Sequence, residues 1–128
     1  MTITENKNYY LFNDTLTNVY LEDSYVLDIQ EVDGLITFLL EIVLTEKHSL
    51  YTQPLIGEQY CYKKGTLTFP NTESYNLVRS NAQPSKDPDG SIDYGNIDEF
   101  YFNDGSYTLS GEWGVLNIKS DSPLITLD

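Results

Sequence analysis

Five oxygen-bearing side chains lie along one polar loop with the spacing of a calcium-binding loop. Positions one, three, five, seven and twelve of that pattern are taken by Asp87, Asp89, Ser91, Asp93 and Asp98. The match to a helix–loop–helix site fails because Ile92 stands where the loop needs glycine, Asp98 replaces the bidentate glutamate, and no flanking helix is predicted. We therefore expect no tightly bound cofactor. The alternatives for this loop are a looser surface calcium site at Asp87, Asp89 and Asp93 or a plain solvated loop.

Side chains for nucleophilic or zinc chemistry are scarce. His48 is the only histidine and Cys61 the only cysteine, so a zinc cluster built on histidines is excluded and a catalytic triad would depend on His48 alone. A solvated loop histidine and a buried, inert thiol are the simplest interpretations. No glycine-rich loop of the phosphate-binding type is present either. The sequence therefore favours a binding role over an enzymatic one.

Aromatic residues are the remaining candidates for function. Eleven Tyr, five Phe and one Trp are more rings than one face of a small sheet can bury, and tyrosine is favoured at contact surfaces. The predicted partner- or ligand-binding residues are the only tryptophan with nearby acids and tyrosines: Trp113, Glu112, Asp93, Asp98, Glu99, Tyr94 and Tyr101. The alternative is that the rings fill the interior of a two-layered sandwich.

The net charge bears on the kind of partner. Twenty Asp and Glu against seven Lys and Arg give a formal charge of −13, which argues against nucleic acid because affinity for phosphate backbones comes from cationic contacts. The same charge would speed association with a basic protein, or would serve solubility alone.

The leading hypothesis is a protein-binding module, such as an inhibitor or an immunity protein against a basic toxin. The alternative is a carbohydrate or small-ligand module that uses Trp113 and nearby tyrosines.

Length and the N-terminal residues set the expected organisation. We expect one domain over residues 1–128, with residues 1–14 loosely ordered, because 128 residues can bury one core without disulfides. Neither a secretory signal nor an apolar run of membrane-spanning length is apparent, so no membrane partner is expected. Together with the single cysteine, this predicts a cytoplasmic protein. A homodimer through a sheet edge is compatible with every one of these hypotheses.

Two Asp-Gly dipeptides predict β-hairpins, because a type I′ turn needs positive φ at both central positions. A turn at Asp33-Gly34 predicts that Ile29 lies opposite Phe38, Leu27 opposite Leu40, and Tyr25 opposite Ile42. A turn at Asp104-Gly105 predicts Phe102 opposite Tyr107 and Phe100 opposite Leu109. A further turn at Gly111-Glu112 predicts Tyr107 opposite Leu116 and Leu109 opposite Gly114, and it leaves Trp113 facing away from this core.

Weaker signals complete the predicted fold. Short strands are expected at residues 16–21, 75–78 and 124–127, and a hairpin around Lys64-Gly65 is expected to join residues 57–63 to 66–69. Residues 80–91, with two prolines and a glycine, predict the main surface loop. The whole pattern predicts an all-β fold of about eight or nine short, mostly hairpin-connected strands, as a single antiparallel sandwich or a small, partly open barrel.

Overall fold

The structure, a computed structural model, describes residues 7–81, 84–86, 88, 90 and 92–128. Its strands are β1 (Lys7–Asn8), β2 (Val19–Val32), β3 (Leu35–Leu44), β4 (Cys61–Phe69), β5 (Ser74–Arg79), β6 (Ser85–Lys86), β7 (Ile92–Asp93), β8 (Glu99–Asn103), β9 (Ser106–Gly111), β10 (Gly114–Lys119) and β11 (Leu124–Leu127). A 3₁₀ turn covers Tyr9–Leu11, and the single-turn helix α1 covers Asp14–Thr17.

Two antiparallel sheets pack face to face. The five-stranded sheet has the order β1-β8-β9-β10-β5, and the four-stranded sheet has the order β11-β4-β3-β2. The short pair β6–β7 forms a separate two-stranded ladder, and β7 lies against β2. The all-β prediction is confirmed, and the architecture is the sandwich rather than the partly open barrel.

Alternating side chains of both sheets form the core between them. On β3, Ile36, Phe38, Leu40 and Ile42 are buried, because every second residue of a strand points to the same face. Phe69 from one sheet meets Phe100 and Tyr107 from the other, with ring centroids 5.9 and 6.1 Å away, and Phe38 packs edge-on against Phe69. A large share of the aromatic residues therefore fills the sandwich interior.

The first hairpin is correct at its turn and wrong further along. Asp33 and Gly34 have φ angles of 51° and 77°, and Ile29 pairs with Phe38 as predicted. Beyond Asp28 a bulge places Leu27 between two ladder positions, so that Val26 pairs with Leu40 and Tyr25 with Glu41. The extra residue reverses which side chains of the strand point to the core, so Val26 is buried in place of Leu27.

The predicted strand at residues 16–21 is correct only for residues 19–21, which belong to β2. Asn13 accepts a hydrogen bond from the backbone N–H of Thr15 and caps helix α1, which takes up residues 14–17. Strand β2 begins at Val19 and continues beyond residue 21 through the polar residues 22–24.

The predicted hairpin around Lys64-Gly65 does not exist, because β4 is one continuous strand. Gly65 lies in its middle, paired with Leu40 on one side and Leu127 on the other. A Cβ atom at this position would lie 2.5 Å from the backbone oxygen of Thr126. The glycine therefore serves close approach of two strands rather than a turn.

The hairpin of β8 and β9 is confirmed, with Phe102 opposite Tyr107 and Phe100 opposite Leu109. The next turn is one residue later than predicted. Gly111 pairs with Gly114, so the turn residues are Glu112 and Trp113, and Leu109 faces Leu116 while Tyr107 faces Ile118. The expectation that Trp113 faces away from the core is wrong, since its side chain is only 4% exposed.

The predicted strands at residues 75–78 and 124–127 are confirmed as parts of β5 and β11. Beginning and end of the described chain are joined by hydrogen bonds. Asn13 Nδ2 donates to Ser122 Oγ and to the backbone oxygen of Pro123, both at 2.8 Å, and Thr15 Oγ1 accepts from the backbone N–H of Ile125 at 3.1 Å. Tyr9, in the segment expected to be loosely ordered, is buried in the core.

Candidate functional site

The sequence-predicted binding residues do not converge on one site. Tyr94, Glu112 and Trp113 border a small hollow of about 70 Å³. Asp93 borders a wider groove on the four-stranded sheet, and Asp98, Glu99 and Tyr101 border a third depression near the start of β8. The first and the last group each bring three of the predicted residues together, and only the last contains two carboxylates.

Trp113 is a core residue. Its ring lies 5.0 Å from that of Phe38 at an interplanar angle of 71°, and its Nε1 donates to the backbone oxygen of Asn96 at 3.2 Å. Gly111 allows this position, because a Cβ atom there would lie 2.5 Å from Nε1 of the indole. A ring that is buried and hydrogen-bonded in this way offers no face to a ligand.

Asp93 is the one described member of the predicted calcium ligands. Asp87, Asp89 and the intervening Ser91 lie outside the described residues. Asp93 Oδ1 accepts a hydrogen bond from the backbone N–H of Gly95 at 2.9 Å. Within the described part of the chain, no group of three or more His, Cys, Asp or Glu side chains is arranged to hold a metal ion. The surface calcium site stays a prediction.

His48 and Cys61 both have local partners. His48 lies half-buried in the connection between β3 and β4, where its Nδ1 accepts from the backbone N–H of Leu50 at 3.0 Å. Cys61 is a buried free thiol whose Sγ lies 3.5 Å from the backbone nitrogen of Thr52. These settings match the interpretations of a loop histidine and a buried thiol.

The depression at the start of β8, here called the Glu22 hollow, has a volume of about 340 Å³. Three carboxylates and three tyrosines dominate its lining: Asn8, Tyr9, Tyr10, Glu22, Ile97, Asp98, Glu99, Phe100 and Tyr101. No Lys or Arg is among these described lining residues. The hollow is therefore concave, aromatic and strongly acidic.

An irregularity in β2 brings Glu22 into this hollow. Tyr20 pairs with Val43 and Tyr25 with Glu41, so the residues between Tyr20 and Tyr25 bulge out of the ladder. Ser24, which is 0% exposed, replaces the lost ladder bonds: its Oγ donates to the backbone oxygen of Tyr20 at 2.8 Å and accepts from the backbone N–H of Val43 at 2.9 Å. Because of this bulge, the side chain of Glu22 does not follow the regular alternation of the strand, and it lines the hollow.

Tyrosine hydroxyls fix both acids of the bulge. The Tyr9 hydroxyl donates to Glu22 Oε1 and accepts from the backbone N–H of Leu21 at 3.2 Å. Burial, and then the bond to Glu22, raise the pKa of Tyr9 above its ordinary value. On the other side of β2, a hydrogen bond to Asp23 raises the pKa of Tyr60. Both carboxylates are thus oriented before any partner arrives.

Backbone contacts place Asp98 and Glu99 at the rim. Tyr94 N–H donates to the oxygen of Val26 and Val26 N–H donates to the oxygen of Gly95, so the chain before β8 runs along the edge of β2. Ile97 then enters the core, and Asp98 N–H donates to the oxygen of Ser110 at 2.8 Å. The side chains of Asp98 and Glu99 are exposed.

A second depression, here called the outer groove, lies on the solvent face of the four-stranded sheet and has a volume of about 530 Å³. Tyr25, Glu41 and Lys64 form one cross-strand row on its floor. The rings of Tyr25 and Tyr62 are 6.1 Å apart at an angle of 30°. Burial, followed by the neighbouring Tyr25, raises the pKa of Tyr62 to about 12.

Sequence reasoning missed Glu22, Tyr9, Tyr25 and Tyr62 as lining residues of the two depressions. The strand predicted at residues 16–21 ends just before these two acids, Glu22 and Asp23. A signal was present, because polar residues that interrupt a strand while apolar alternation resumes beyond them are typical of a bulge.

Comparison of the chain with protein-family models, curated protein sequences and solved structures found no match. No helix among the described residues is long and apolar enough to cross a membrane.

Proposed function

We propose that this β-sandwich is a non-enzymatic protein-binding module that takes a cationic partner protein in the Glu22 hollow. The observation that carries the proposal is the hollow's lining, in which Glu22, Asp98 and Glu99 are combined with tyrosine rings and no basic side chain among the described residues. An inhibitor or immunity protein that covers a basic surface is one class with this requirement.

The lining suits a lysine or arginine side chain. Such a side chain can pack its aliphatic stem and its charged head against the rings of Tyr10 and Tyr101, since cations are attracted to aromatic faces. Its head group can then bond to carboxylate oxygens, and charge-assisted hydrogen bonds are stronger than neutral ones. Because Glu22 is already held by Tyr9, less side-chain entropy is lost on binding.

The rest of the molecule supports the same partner. A formal charge of −13 attracts a basic surface over a distance of about one Debye length, about 8 Å at physiological ionic strength. Association should therefore be fast and sensitive to salt. A neutral partner would show neither property.

A hexa-arginine peptide is the probe for this site. We would titrate it into isotopically labelled protein and compare Asp98→Asn/Glu99→Gln with the control Asp33→Asn/Asp104→Asn. Both doubles change the net charge equally, and the control positions lie in hairpin turns with positive φ, which asparagine tolerates. We expect chemical-shift changes around residues 8–10, 22 and 97–101, and affinity about three- to tenfold weaker in the Asp98/Glu99 variant than in the control.

Equal weakening in both double variants would show that the peptide follows net charge alone, and it would contradict the proposal. So would shift changes centred on another surface, or binding that does not weaken between low and high salt. Hexaglutamate serves as the negative control peptide.

A further inference from the structure

We propose that the outer groove is a second binding site whose ligand is a neutral saccharide, stacked across the rings of Tyr25 and Tyr62. The inference is independent of the proposed protein-binding function, because the outer groove and the Glu22 hollow share no lining residue.

The groove has the size and the walls of a small-molecule site. Its volume of about 530 Å³ falls within the range of about 300–1,000 Å³ that is usual for ligand pockets. The floor of the groove is formed by the four-stranded sheet, whose strands hold their side chains at fixed spacings. Gly57, Glu58 and Gln59 from the connection before β4 border it, together with Ile92 and Asp93 of β7. A ligand of two or three sugar rings fits these dimensions.

The two tyrosines supply aromatic surface to the groove. Tyr25 and Tyr62 are each half-buried, so their rings are held in place while part of each remains exposed. Their planes differ by only 30°, whereas Tyr60 meets Tyr62 edge-on at 77°. The C–H face of a pyranose ring is apolar and flat, and it gains contact area on such a surface at little entropic cost because tyrosine has few rotatable bonds.

The polar side chains around the rings point to hydroxyl groups rather than to a cation. A sugar hydroxyl both donates and accepts, and therefore needs both kinds of partner nearby. Carboxylates of Glu41, Glu58 and Asp93 accept, the ammonium of Lys64 donates, and the amide of Gln59 does both. Lys64 also lies directly across the strands from Glu41 and offsets its charge. The Glu22 hollow has no comparable donor among its described lining residues.

The test uses maltotriose, cellotriose and chitotriose as soluble probes, together with an array of immobilised neutral, acidic and sulfated oligosaccharides. Binding of the soluble probes would be followed by chemical shifts of labelled protein at up to about 10 mM, so that a site with a dissociation constant of about 1 mM is still detected. We expect at least one neutral saccharide to shift residues of β2, β3 and β4 that face the groove.

Three variants distinguish the contribution of the Tyr62 ring to binding from that of its hydroxyl and from any loss of folding. Tyr62→Ala should weaken saccharide binding about tenfold or more, because it removes half of the stacking surface. Tyr62→Phe keeps the ring and should stay within about threefold of wild type. Tyr75→Ala removes an exposed ring on β5, in the other sheet, and should leave binding unchanged. Melting curves of all three establish that each variant is folded.

The inference is overturned if no neutral saccharide binds in solution or on the array, or if binding survives Tyr62→Ala with unchanged affinity. It is also overturned if hexa-arginine, and no saccharide, shifts the groove residues, since the groove would then belong to a cationic partner. Loss of hexa-arginine binding at the Glu22 hollow would leave the saccharide result intact, so the two proposals fail separately.

Discussion

Replacement of Trp113 by alanine tests whether this residue is a structural element or a ligand contact. The indole is 4% exposed, and burial of a ring of this size removes about 150–250 Å² from water. At about 25 cal/mol per Å² that burial is worth about 4–6 kcal/mol. Truncations of buried aromatic residues to alanine cost about 3–5 kcal/mol, so we expect the free energy of unfolding to fall by about 4 kcal/mol.

Such a loss would be large for this fold, because domains of ordinary size are stable by only about 5–15 kcal/mol. Trp113→Phe keeps most of the ring and loses the hydrogen bond from Nε1 to the oxygen of Asn96, so it should cost only about 1–2 kcal/mol. Tyr75→Ala, at a ring that is 39% exposed, should cost less than about 1 kcal/mol.

Urea denaturation followed by far-ultraviolet circular dichroism measures these differences. Intrinsic fluorescence adds a direct reading, since Trp113 is the only tryptophan and a buried indole should be shielded from aqueous quenchers. Trp113→Phe should bind hexa-arginine and the saccharide probes as wild type does. A loss below about 1 kcal/mol in Trp113→Ala, or a Trp113→Phe variant that is fully stable and has lost ligand binding, would refute the structural role.

Three further predictions concern the strands. Gly65→Ala should lower the free energy of unfolding by about 1–3 kcal/mol in urea denaturation, because its Cβ would lie 2.5 Å from the backbone oxygen of Thr126; wild-type stability would show that β4 and β11 are not in close approach. Ser24→Ala leaves the buried N–H of Val43 without its partner and should cost about 1–3 kcal/mol by the same measurement; no loss would mean that water replaces the hydroxyl. Because the folded state raises the pKa of Tyr62 from 10.0 to about 12, this group's contribution to stability is complete below pH 10 and disappears as the pH rises towards 12. Tyr62→Phe should therefore make the decline of stability over that range shallower, and an unchanged decline would contradict the raised pKa.

Local turn chemistry made the two Asp-Gly hairpins predictable. Positive φ is adopted by all four turn residues: Asp33, Gly34, Asp104 and Gly105. Few residue pairs tolerate this conformation, so an Asp-Gly pair identifies the turn directly from the sequence. Apolar alternation then supplied the register next to each turn, including the pair Ile29 and Phe38. The all-β class follows from the same signals, repeated along the chain.

The fold predicted from the sequence was wrong where the role of a glycine or a polar residue depends on a contact with a residue far away in the chain. Gly65 resembles a turn residue in sequence, yet its role depends on β11, which lies some sixty residues further along. Gly111 resembles the first residue of a type II′ turn, although its absent Cβ makes room for the indole of Trp113 and the oxygen of Asn96. The contacts of Gly65 with Thr126 and of Gly111 with Asn96 are made by residues far away in the sequence, so local reasoning placed both glycines in turns.

The candidate site was predictable only in part for the same reason. Asp98, Glu99 and Tyr101 share a depression as sequence proximity suggested, and Glu22 joins them only because a bulge in β2 redirects its side chain. Bulges change side-chain facing by a single residue, and a pattern of period two cannot reveal which residue is the additional one.

The hydrogen bonds between residues 13–15 and 122–125 have a consequence for the order of folding. They join positions separated by 109 and 110 residues, so closing that loop in an unfolded chain carries a high entropic cost. The Asp-Gly hairpins need only local contacts and can form much earlier. Helix α1 and strand β11 should therefore dock last, onto sheets that already exist, and the slow step of folding should be the one that secures this end of the sandwich.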